Sequence, residues 1–231
     1  MKPISTAVIV AAGKGKRMGT KISKQFLPLG EKEILAHTVE KFEKADAIRD
    51  IILVTGKEAV QDVREMAREY GWKKIHAVTE GGKERQDSVF LGLQQVPQDT
   101  EVVLIHDGVR PFVTAEILER SIAVAAQMGG CVAGVPAKDT IKVCNAQGLA
   151  VATPERSTLW QIQTPQTFRK EEIISAYQAA RADGFLGTDD ASVLEHSGYP
   201  VQVIMGSYRN IKITTKEDLL IGEAFLKEET E

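Results

Sequence analysis

Short apolar runs alternate with longer segments of helical spacing from the start of the chain to Val135. A short run is typical of a buried strand, whereas apolar residues three or four positions apart are typical of a helix with one buried face. The runs predict strands at residues 6–12, 51–54, 75–78, 102–105 and 131–135. The longer segments predict helices at residues 34–45, 58–70 and 85–95, and a further helix capped by Thr114. This alternation indicates an α/β fold in which a mostly parallel sheet carries helices on both faces.

The alternation breaks at residues 138–158. Two strand-like pieces flank an Asn-Ala-Gln-Gly turn in this segment, and a polar stretch follows them. Because such a hairpin has too few apolar residues to form its own core, we expect it to pack on a second subunit. The α/β pattern then resumes and predicts helices at 170–182 and 190–196, a strand at 201–204 and a last helix from Lys216.

Composition narrows the class of protein. The 231 residues are enough for one large domain, so residues 1–231 are predicted to form a single unit with 138–158 as its arm. The formal net charge of -3 predicts no general affinity for nucleic acid or for an anionic membrane. The longest apolar runs have the length of strands, so we expect no membrane span. Cys131 and Cys144 form no CxxC pair, which favours a reducing cytoplasm and leaves a disulfide between them as the alternative.

The first predicted strand runs into a basic, glycine-rich loop. Residues 11–19 read Ala-Ala-Gly-Lys-Gly-Lys-Arg-Met-Gly. Glycines of this kind let backbone N–H groups approach phosphate oxygens, and the basic side chains neutralise the phosphate charge. The Walker A pattern is absent, and the third glycine comes one position too late for the dinucleotide fingerprint. A solvated lysine-rich turn is the alternative, but the position after the first strand of a parallel sheet favours phosphate binding.

A few other polar residues are candidates for chemistry. Asp107 follows the fourth predicted strand, where its carboxylate either holds a hard cation such as Mg²⁺ or caps the next turn. The four histidines lack the spacing of a zinc site, so His106 is predicted to be structural. Taken alone, Lys212 and Arg156 would be interpreted as exposed charges, and Ser88 is compatible with either a helix-face hydroxyl or a ligand contact.

Further motifs follow the loop in a fixed order. They are Ser-Lys-Gln-Phe-Leu at 23–27, Gly-Gly at 81–82 with Arg85 and Ser88, His-Asp at 106–107 with Arg110, Asp-Thr-Ile-Lys at 139–142, Leu-Trp at 159–160, Gln-Thr-Pro-Gln at 163–166, Thr-Asp-Asp-Ala-Ser at 188–192 and Asn-Ile-Lys at 210–212. Together they cover essentially the whole chain and resemble the 2-C-methyl-D-erythritol 4-phosphate cytidylyltransferases, enzymes of the non-mevalonate isoprenoid route. A ribitol-5-phosphate cytidylyltransferase is the nearest alternative. The Ala-Ala-Gly at 11–13, Lys142 and the Leu-Trp-Gln at 159–161 favour the methylerythritol enzymes.

The resemblance implies a Rossmann-like sheet, a protruding β-hairpin arm and a homodimer formed through that arm. It also implies transfer of CMP from CTP to 2-C-methyl-D-erythritol 4-phosphate, with release of pyrophosphate. An anionic phosphate oxygen is the nucleophile in this reaction, so no general base is needed and cations must stabilise the developing charge. By resemblance, the catalytic cations are Arg17, Lys24 and Lys212.

The same resemblance implies two sets of binding residues. Those expected to contact CTP are Ala11, Ala12, Gly13, Gly15, Gly82, Ser88 and Asp107. Asp107 is also expected to hold Mg²⁺. Those expected to contact the polyol phosphate are Thr140, Arg156, Thr164, Thr188 and Arg110, with Thr140 and Arg156 reaching across the dimer. Lys83 and Arg209 replace an Asp found in many relatives, so no acidic contact is expected at those two positions.

Overall fold

The computed structural model describes residues 2–13 and 23–230, which form a seven-stranded sheet with helices on both faces. The strands are β1 (Ser5–Ala11), β2 (Pro28–Leu29), β3 (Lys32–Glu33), β4 (Asp50–Thr55), β5 (Ile75–Glu80), β6 (Val102–Asp107), β7 (Gly130–Pro136), β8 (Val143–Cys144), β9 (Ala150–Ala152), β10 (Trp160–Arg169) and β11 (Val201–Met205). The helices are α1 (Ile34–Glu43), α2 (Val60–Glu69), α3 (Arg85–Leu93), α4 (Ala115–Met128), α5 (Lys170–Asp183), α6 (Asp190–His196) and α7 (Lys216–Thr230).

Parallel pairing dominates the sheet, whose strand order is β11-β7-β10-β6-β1-β4-β5. β1 lies between β4 and β6 and runs parallel to both, while β5 and β11 pair parallel with β4 and β7. β1 and β6 are almost entirely buried, because helices cover both faces of the sheet. Val10 pairs with Asp107, so the carboxyl ends of β1 and β6 meet at one edge. The predicted fold class is confirmed.

Two groups of helices build cores on opposite faces of the sheet. Leu35 of α1 belongs to one core cluster, and Leu93 of α3 belongs to the other. The prediction that Thr114 caps α4 is confirmed, since its side chain accepts a hydrogen bond from the Ile117 N–H. Across residues 2–13 and 23–230, no helix has the length and apolar character needed to cross a membrane.

Hydrophobic periodicity predicted neither the short strands β2 and β3 nor the long strand β10. Strand β10 runs antiparallel between β6 and β7, with an irregularity between Ile162 and Gln166. Its buried polar residues are Gln163, Thr164, Gln166 and Thr167. Hydrogen bonds take the place of apolar contacts, as where Gln166 Nε2 donates to Asp189 Oδ2 at 2.8 Å. Such a strand carries no continuous apolar run, so its sequence resembles that of a polar loop.

The predicted arm forms a separate two-stranded hairpin. β8 and β9 pair antiparallel, and every residue in them is exposed. In the turn, Asn145 Oδ1 accepts hydrogen bonds from the N–H groups of Gln147 and Leu149, and Gly148 takes a φ of 81°, which favours glycine. Leu149 and Val151 remain 66% and 61% exposed. The arm therefore presents apolar side chains that its own chain does not cover.

Candidate active site

A cavity of about 170 Å³ opens where the carboxyl ends of β1 and β6 meet. The predicted site residues that line it are Ala11, Ala12, Gly13, Lys24, Gly82, Ser88, Asp107 and Lys212. The catalytic assignment of Arg17 and the CTP assignment of Gly15 lie outside the described residues. The structure thus brings together residues as far apart in the chain as Ala11 and Lys212, at the edge where α/β sheets bind ligands.

Asp107 is the electrostatic centre of this cavity. Its Oδ1 lies 3.3 Å from Arg85 Nε, and its Oδ2 lies 3.2 Å from Arg110 Nε and 3.0 Å from Lys212 Nζ. Burial alone would raise the pKa of Asp107, but Arg85, Lys212 and Arg110 lower it well below its ordinary value. The carboxylate is therefore charged at any physiological pH, and its three cationic neighbours leave a net positive cluster.

The surroundings of Asp107 suit a cation that takes most of its ligands from a substrate. Among the described residues, no group of three His, Cys, Asp or Glu side chains could hold a metal. Mg²⁺ is commonly bound by one or two carboxylates together with substrate phosphates and several waters. A single buried carboxylate that stays ionised at the edge of a cationic cavity meets that requirement.

Arg85 is a functional candidate to which sequence reasoning gave no role. Its Nη1 and Nη2 form a bidentate pair with Asp190 at 2.9 and 2.8 Å, while its Nε faces Asp107. Asp190 is fully buried and also accepts a hydrogen bond from the Tyr177 hydroxyl at 2.6 Å. Arg85 and Asp190 are 105 positions apart, and no local spacing signals their contact. The sequence did contain one signal: each of the two residues lies in a motif on which the family resemblance rests, Arg85 after the Gly-Gly at 81–82 and Asp190 in the Thr-Asp-Asp-Ala-Ser at 188–192.

A chain of hydrogen bonds fixes the backbone of Asp107. The Asp107 N–H donates to Thr164 Oγ1 at 3.1 Å, and Thr164 Oγ1 lies 3.0 Å from His106 Nδ1. His106 Nε2 lies 3.1 Å from the Arg110 carbonyl, which can only accept, so Nε2 carries the ring proton and Nδ1 accepts from the Thr164 hydroxyl. Burial lowers the pKa of His106 to about 4, so the ring is neutral and structural, as predicted.

Two of the predicted substrate contacts are engaged within the chain. The Thr164 hydroxyl is used by Asp107 and His106 in the buried interior. Arg110 pairs with Asp107, and its Nη1 donates to the Asn210 carbonyl at 2.9 Å. Asn210 is itself fully buried, and its Nδ2 donates to the Thr164 carbonyl at 2.8 Å. In this structure both residues hold the segment that leads to Lys212 against the end of β6.

The opposite wall of the cavity is formed by the start of α3. The Gly82 N–H donates to Ser88 Oγ at 3.0 Å, and Ser88 Oγ donates to the Glu84 carbonyl at 3.1 Å. A Cβ on Gly81 would lie 2.5 Å from the Cβ of Ala12, so only glycine allows this close approach to the end of β1. The Ser88 hydroxyl therefore shapes the wall as well as lining it.

Thr140, Arg156 and Thr188 are not among the residues that line the cavity. Thr140 and Arg156 are exposed on the arm, and Arg156 Nη1 donates to the Lys138 carbonyl at 3.1 Å. Thr188 is exposed and directly precedes Asp189, the N-cap of α6. Arg209 pairs with Glu228 at 2.6 Å. Lys83, by contrast, lines the cavity.

Comparison with known proteins shows which family this chain matches. The family model described as 2-C-methyl-D-erythritol 4-phosphate cytidylyltransferase matches residues 5–228. A protein of that name from Geotalea uraniireducens is 52% identical over 225 residues, which cover 96% of each chain. One from Alkaliphilus oremlandii is 49% identical over 224 residues, or 96% of this chain and 95% of the relative.

Solved structures agree with the sequence relatives. The crystal structure of a 4-diphosphocytidyl-2C-methyl-D-erythritol synthase from Anaerococcus prevotii is similar with a TM-score of 0.87 and 32% identity, covering 98% of this chain and 97% of that one. The structure of a 2-C-methyl-D-erythritol 4-phosphate cytidylyltransferase from Thermus thermophilus gives a TM-score of 0.79 at 29% identity, with 97% and 99% covered. The similarity therefore extends over the whole fold.

Proposed function

Because the chain belongs to the 2-C-methyl-D-erythritol 4-phosphate cytidylyltransferase family, we infer that it transfers CMP from CTP to 2-C-methyl-D-erythritol 4-phosphate. The products are 4-diphosphocytidyl-2-C-methyl-D-erythritol and pyrophosphate, and the reaction serves the non-mevalonate route to isoprenoid precursors. The observation that carries this inference is the cavity at the end of β1, where Lys24, Lys212 and Arg85 line the wall together with one ionised carboxylate, Asp107. A cationic wall of this kind suits a triphosphate.

The chemistry follows from the charges of the substrates. An oxygen of the polyol phosphate attacks the α-phosphorus of CTP, a new P–O bond forms, and the bond to the β-phosphate breaks with its electron pair on the departing pyrophosphate. The attacking oxygen is already anionic at neutral pH, so no residue has to remove a proton. We assign Lys24, Lys212 and Arg17 to the charge that develops on the phosphates, where preorganised cations lower the barrier. Arg85 is a further cation that lines the cavity.

We propose that Asp107 holds Mg²⁺ in the presence of CTP. Lys212 Nζ now occupies one side of Oδ2, but its side chain is 37% exposed and can turn toward an entering triphosphate. When bound, the ion would neutralise phosphate charge and help to fix the triphosphate. Arg85 and Arg110 keep the carboxylate oriented toward the cavity.

The small residues of the cavity suit the nucleobase. Ala11, Ala12 and Gly82 lie where main-chain groups are accessible, and Ser88 lies beside Gly82. We assign cytosine recognition to these main-chain groups and to the Ser88 hydroxyl, with Gly13 and Gly15 at the phosphates. Main-chain groups held in a fixed position can distinguish the 4-amino group of cytosine from the 4-carbonyl group of uracil.

We propose that the polyol phosphate is held between two subunits of a homodimer. The exposed arm carries Thr140 and Arg156, which do not line the cavity of their own chain. Its uncovered apolar residues Leu149 and Val151 suit an interface with a second copy. In this proposal Thr140 and Arg156 bind the substrate in the neighbouring site, and Thr188 contacts it in the home site. Thr164 and Arg110 contribute by supporting Asp107 and Lys212.

The proposed setting is the cytoplasm, without nucleic acid or membrane as a partner. Cys131 is buried and Cys144 is exposed, and both are free thiols, as a reducing compartment would keep them. The net charge of -3 gives no general attraction to polyanions.

Pyrophosphate release tests the proposed reaction directly. CTP, UTP, ATP and GTP are each combined with 2-C-methyl-D-erythritol 4-phosphate or ribitol 5-phosphate, with and without Mg²⁺. We expect release only from CTP with the methylerythritol substrate, and only when Mg²⁺ is present. Preferential use of ribitol 5-phosphate would instead support the alternative cytidylyltransferase, and release without any divalent cation would refute the metal assignment.

A further inference from the structure

The side chain of Gln25 joins two walls of the active-site cavity. It is 3% exposed, and its Nε2 donates to the carbonyl oxygen of Ala11 at 2.5 Å. Ala11 is the last residue of β1, whereas Gln25 lies 14 positions later, directly after Lys24. The bond therefore connects the strand that ends at the nucleotide site with the segment that carries a proposed catalytic lysine.

Lys24 and Gln25 belong to a short turn that is anchored on its other side as well. Residues Lys24–Phe26 form a single 3-10 turn, in which the Leu27 N–H donates to the Lys24 carbonyl at 3.1 Å. The Leu27 carbonyl accepts the Ile34 N–H at 3.0 Å, and Phe26 packs against the sheet core. These contacts hold the turn to α1. The side chain of Gln25 adds a hydrogen bond from this turn to β1.

We propose that Gln25 is a positioning residue that sets the distance between Lys24 and the end of β1. The proposal rests on the role assigned to Lys24 in the proposed function. A lysine side chain is long and flexible, so the reach of its ammonium depends on where its Cα is held. Misplacement of a catalytic group by about 1 Å can cost about a hundredfold in rate. A buried amide that bonds a strand-end carbonyl gives the turn a fixed position before CTP binds.

Two other roles for Gln25 make different predictions. If the amide only satisfies a buried carbonyl, its loss lowers stability, and its kinetic effect is independent of Lys24. If the amide itself binds the nucleotide, its loss weakens CTP affinity. A positioning role instead lowers kcat with little change in CTP affinity, and it acts only while Lys24 is present.

A double-mutant cycle distinguishes these roles. Gln25→Met keeps the length of the side chain and removes the donor, and it is measured with and without Lys24→Ala, alongside thermal unfolding and CTP binding. We expect Gln25→Met to lower kcat by about tenfold to a hundredfold in the wild-type background. In the Lys24→Ala background the same change should have almost no further effect, because the two residues act as one unit. Equal effects in both backgrounds, or a loss confined to CTP affinity, would overturn the proposal.

Gln25→Glu provides a second test that does not depend on Gln25→Met folding well. An ionised carboxylate cannot donate to the Ala11 carbonyl, but a protonated carboxyl can. The activity of this variant relative to wild type should therefore rise as the pH is lowered. A constant ratio across pH would count against the bond. If Lys24→Ala alone leaves kcat unchanged, the proposed role of Lys24 fails, which is a separate result from additivity in the cycle.

Discussion

At the scale of single residues, Asp107 is a carboxylate to which we assign a role in both stability and chemistry. It faces Arg85, Arg110 and Lys212 at 3.0–3.3 Å while only 8% of its side chain is exposed. Asp107→Asn keeps the shape and leaves these cations without their shared partner, which should cost about 3 kcal/mol of stability. It should also raise the Mg²⁺ concentration needed for half-maximal activity and lower kcat. Metal titrations of pyrophosphate release, combined with urea unfolding, measure both effects.

Asp190→Asn is the matched control for this prediction. It also removes a buried partner of Arg85, but Asp190 does not line the cavity. We expect it to lower stability without moving the Mg²⁺ midpoint. If both variants shift that midpoint equally, Asp107 acts through the ion-pair network and not as a metal ligand.

His106 gives a residue-scale prediction about pH. Its folded-state pKa is lowered to about 4 by burial, whereas an unfolded histidine titrates near pH 6.5. Between these values the unfolded chain binds a proton that the folded protein does not, so stability should fall as the pH drops from about 6.5 toward 4. The full contribution is about 3 kcal/mol. Chemical denaturation of His106→Gln across this range should show a shallower dependence on pH than wild type. The same measurement on His76→Gln, at an exposed position, is the control for the loss of a histidine as such.

At the scale of elements, the start of α6 helps to hold the residues around the candidate active site. Asp189 caps the helix by accepting a hydrogen bond from the Ser192 N–H at 2.9 Å, and it also accepts one from Gln166. The next residue, Asp190, holds Arg85. Asp189→Ala should cost about 1–2 kcal/mol, a usual value for loss of an N-cap. Asp189→Asn should recover most of that loss, because an Asn side chain also caps helices. Urea midpoints at an unchanged m-value would measure this difference.

The elements also show what could be predicted from sequence. Burial sets the spacing of apolar residues within a strand or a helix, so such an element can be found from its own stretch of sequence. The positions of β1, β6, α1 and α4 were predicted to within a few residues for this reason. β10 was missed because its buried positions hold Gln and Thr, whose hydrogen-bond partners lie elsewhere in the fold. The Arg85–Asp190 pair was missed for the same reason: it is a contact between distant positions, and periodicity records only near neighbours.

At the scale of the whole molecule, the proposed dimer divides each active site between two chains. Lys24 and Lys212 line the cavity of their own chain, whereas Arg156 lies on the exposed arm. If Arg156 serves the neighbouring site, an Arg156→Ala chain and a Lys24→Ala chain should each be nearly inactive alone. After subunit exchange, half of the dimers in an equal mixture combine both chains, and each of those contains one intact site. The mixture should therefore regain about a quarter of wild-type specific activity.

A mixture of Lys24→Ala with Lys212→Ala is the matched control. Both residues belong to the same cavity, so every site in every dimer of that mixture carries one of the two defects and no activity should return. Subunit exchange is verified by mass spectrometry of chains with different tags. Recovery in the first mixture alone establishes a site shared across the dimer. Recovery in neither mixture, with exchange complete, means that Arg156 serves its own chain. A variant with Leu149→Ser and Val151→Ser tests whether activity depends on dimerisation. Because it weakens the apolar contacts of the arm, we expect it to lower both the fraction of dimer and the activity.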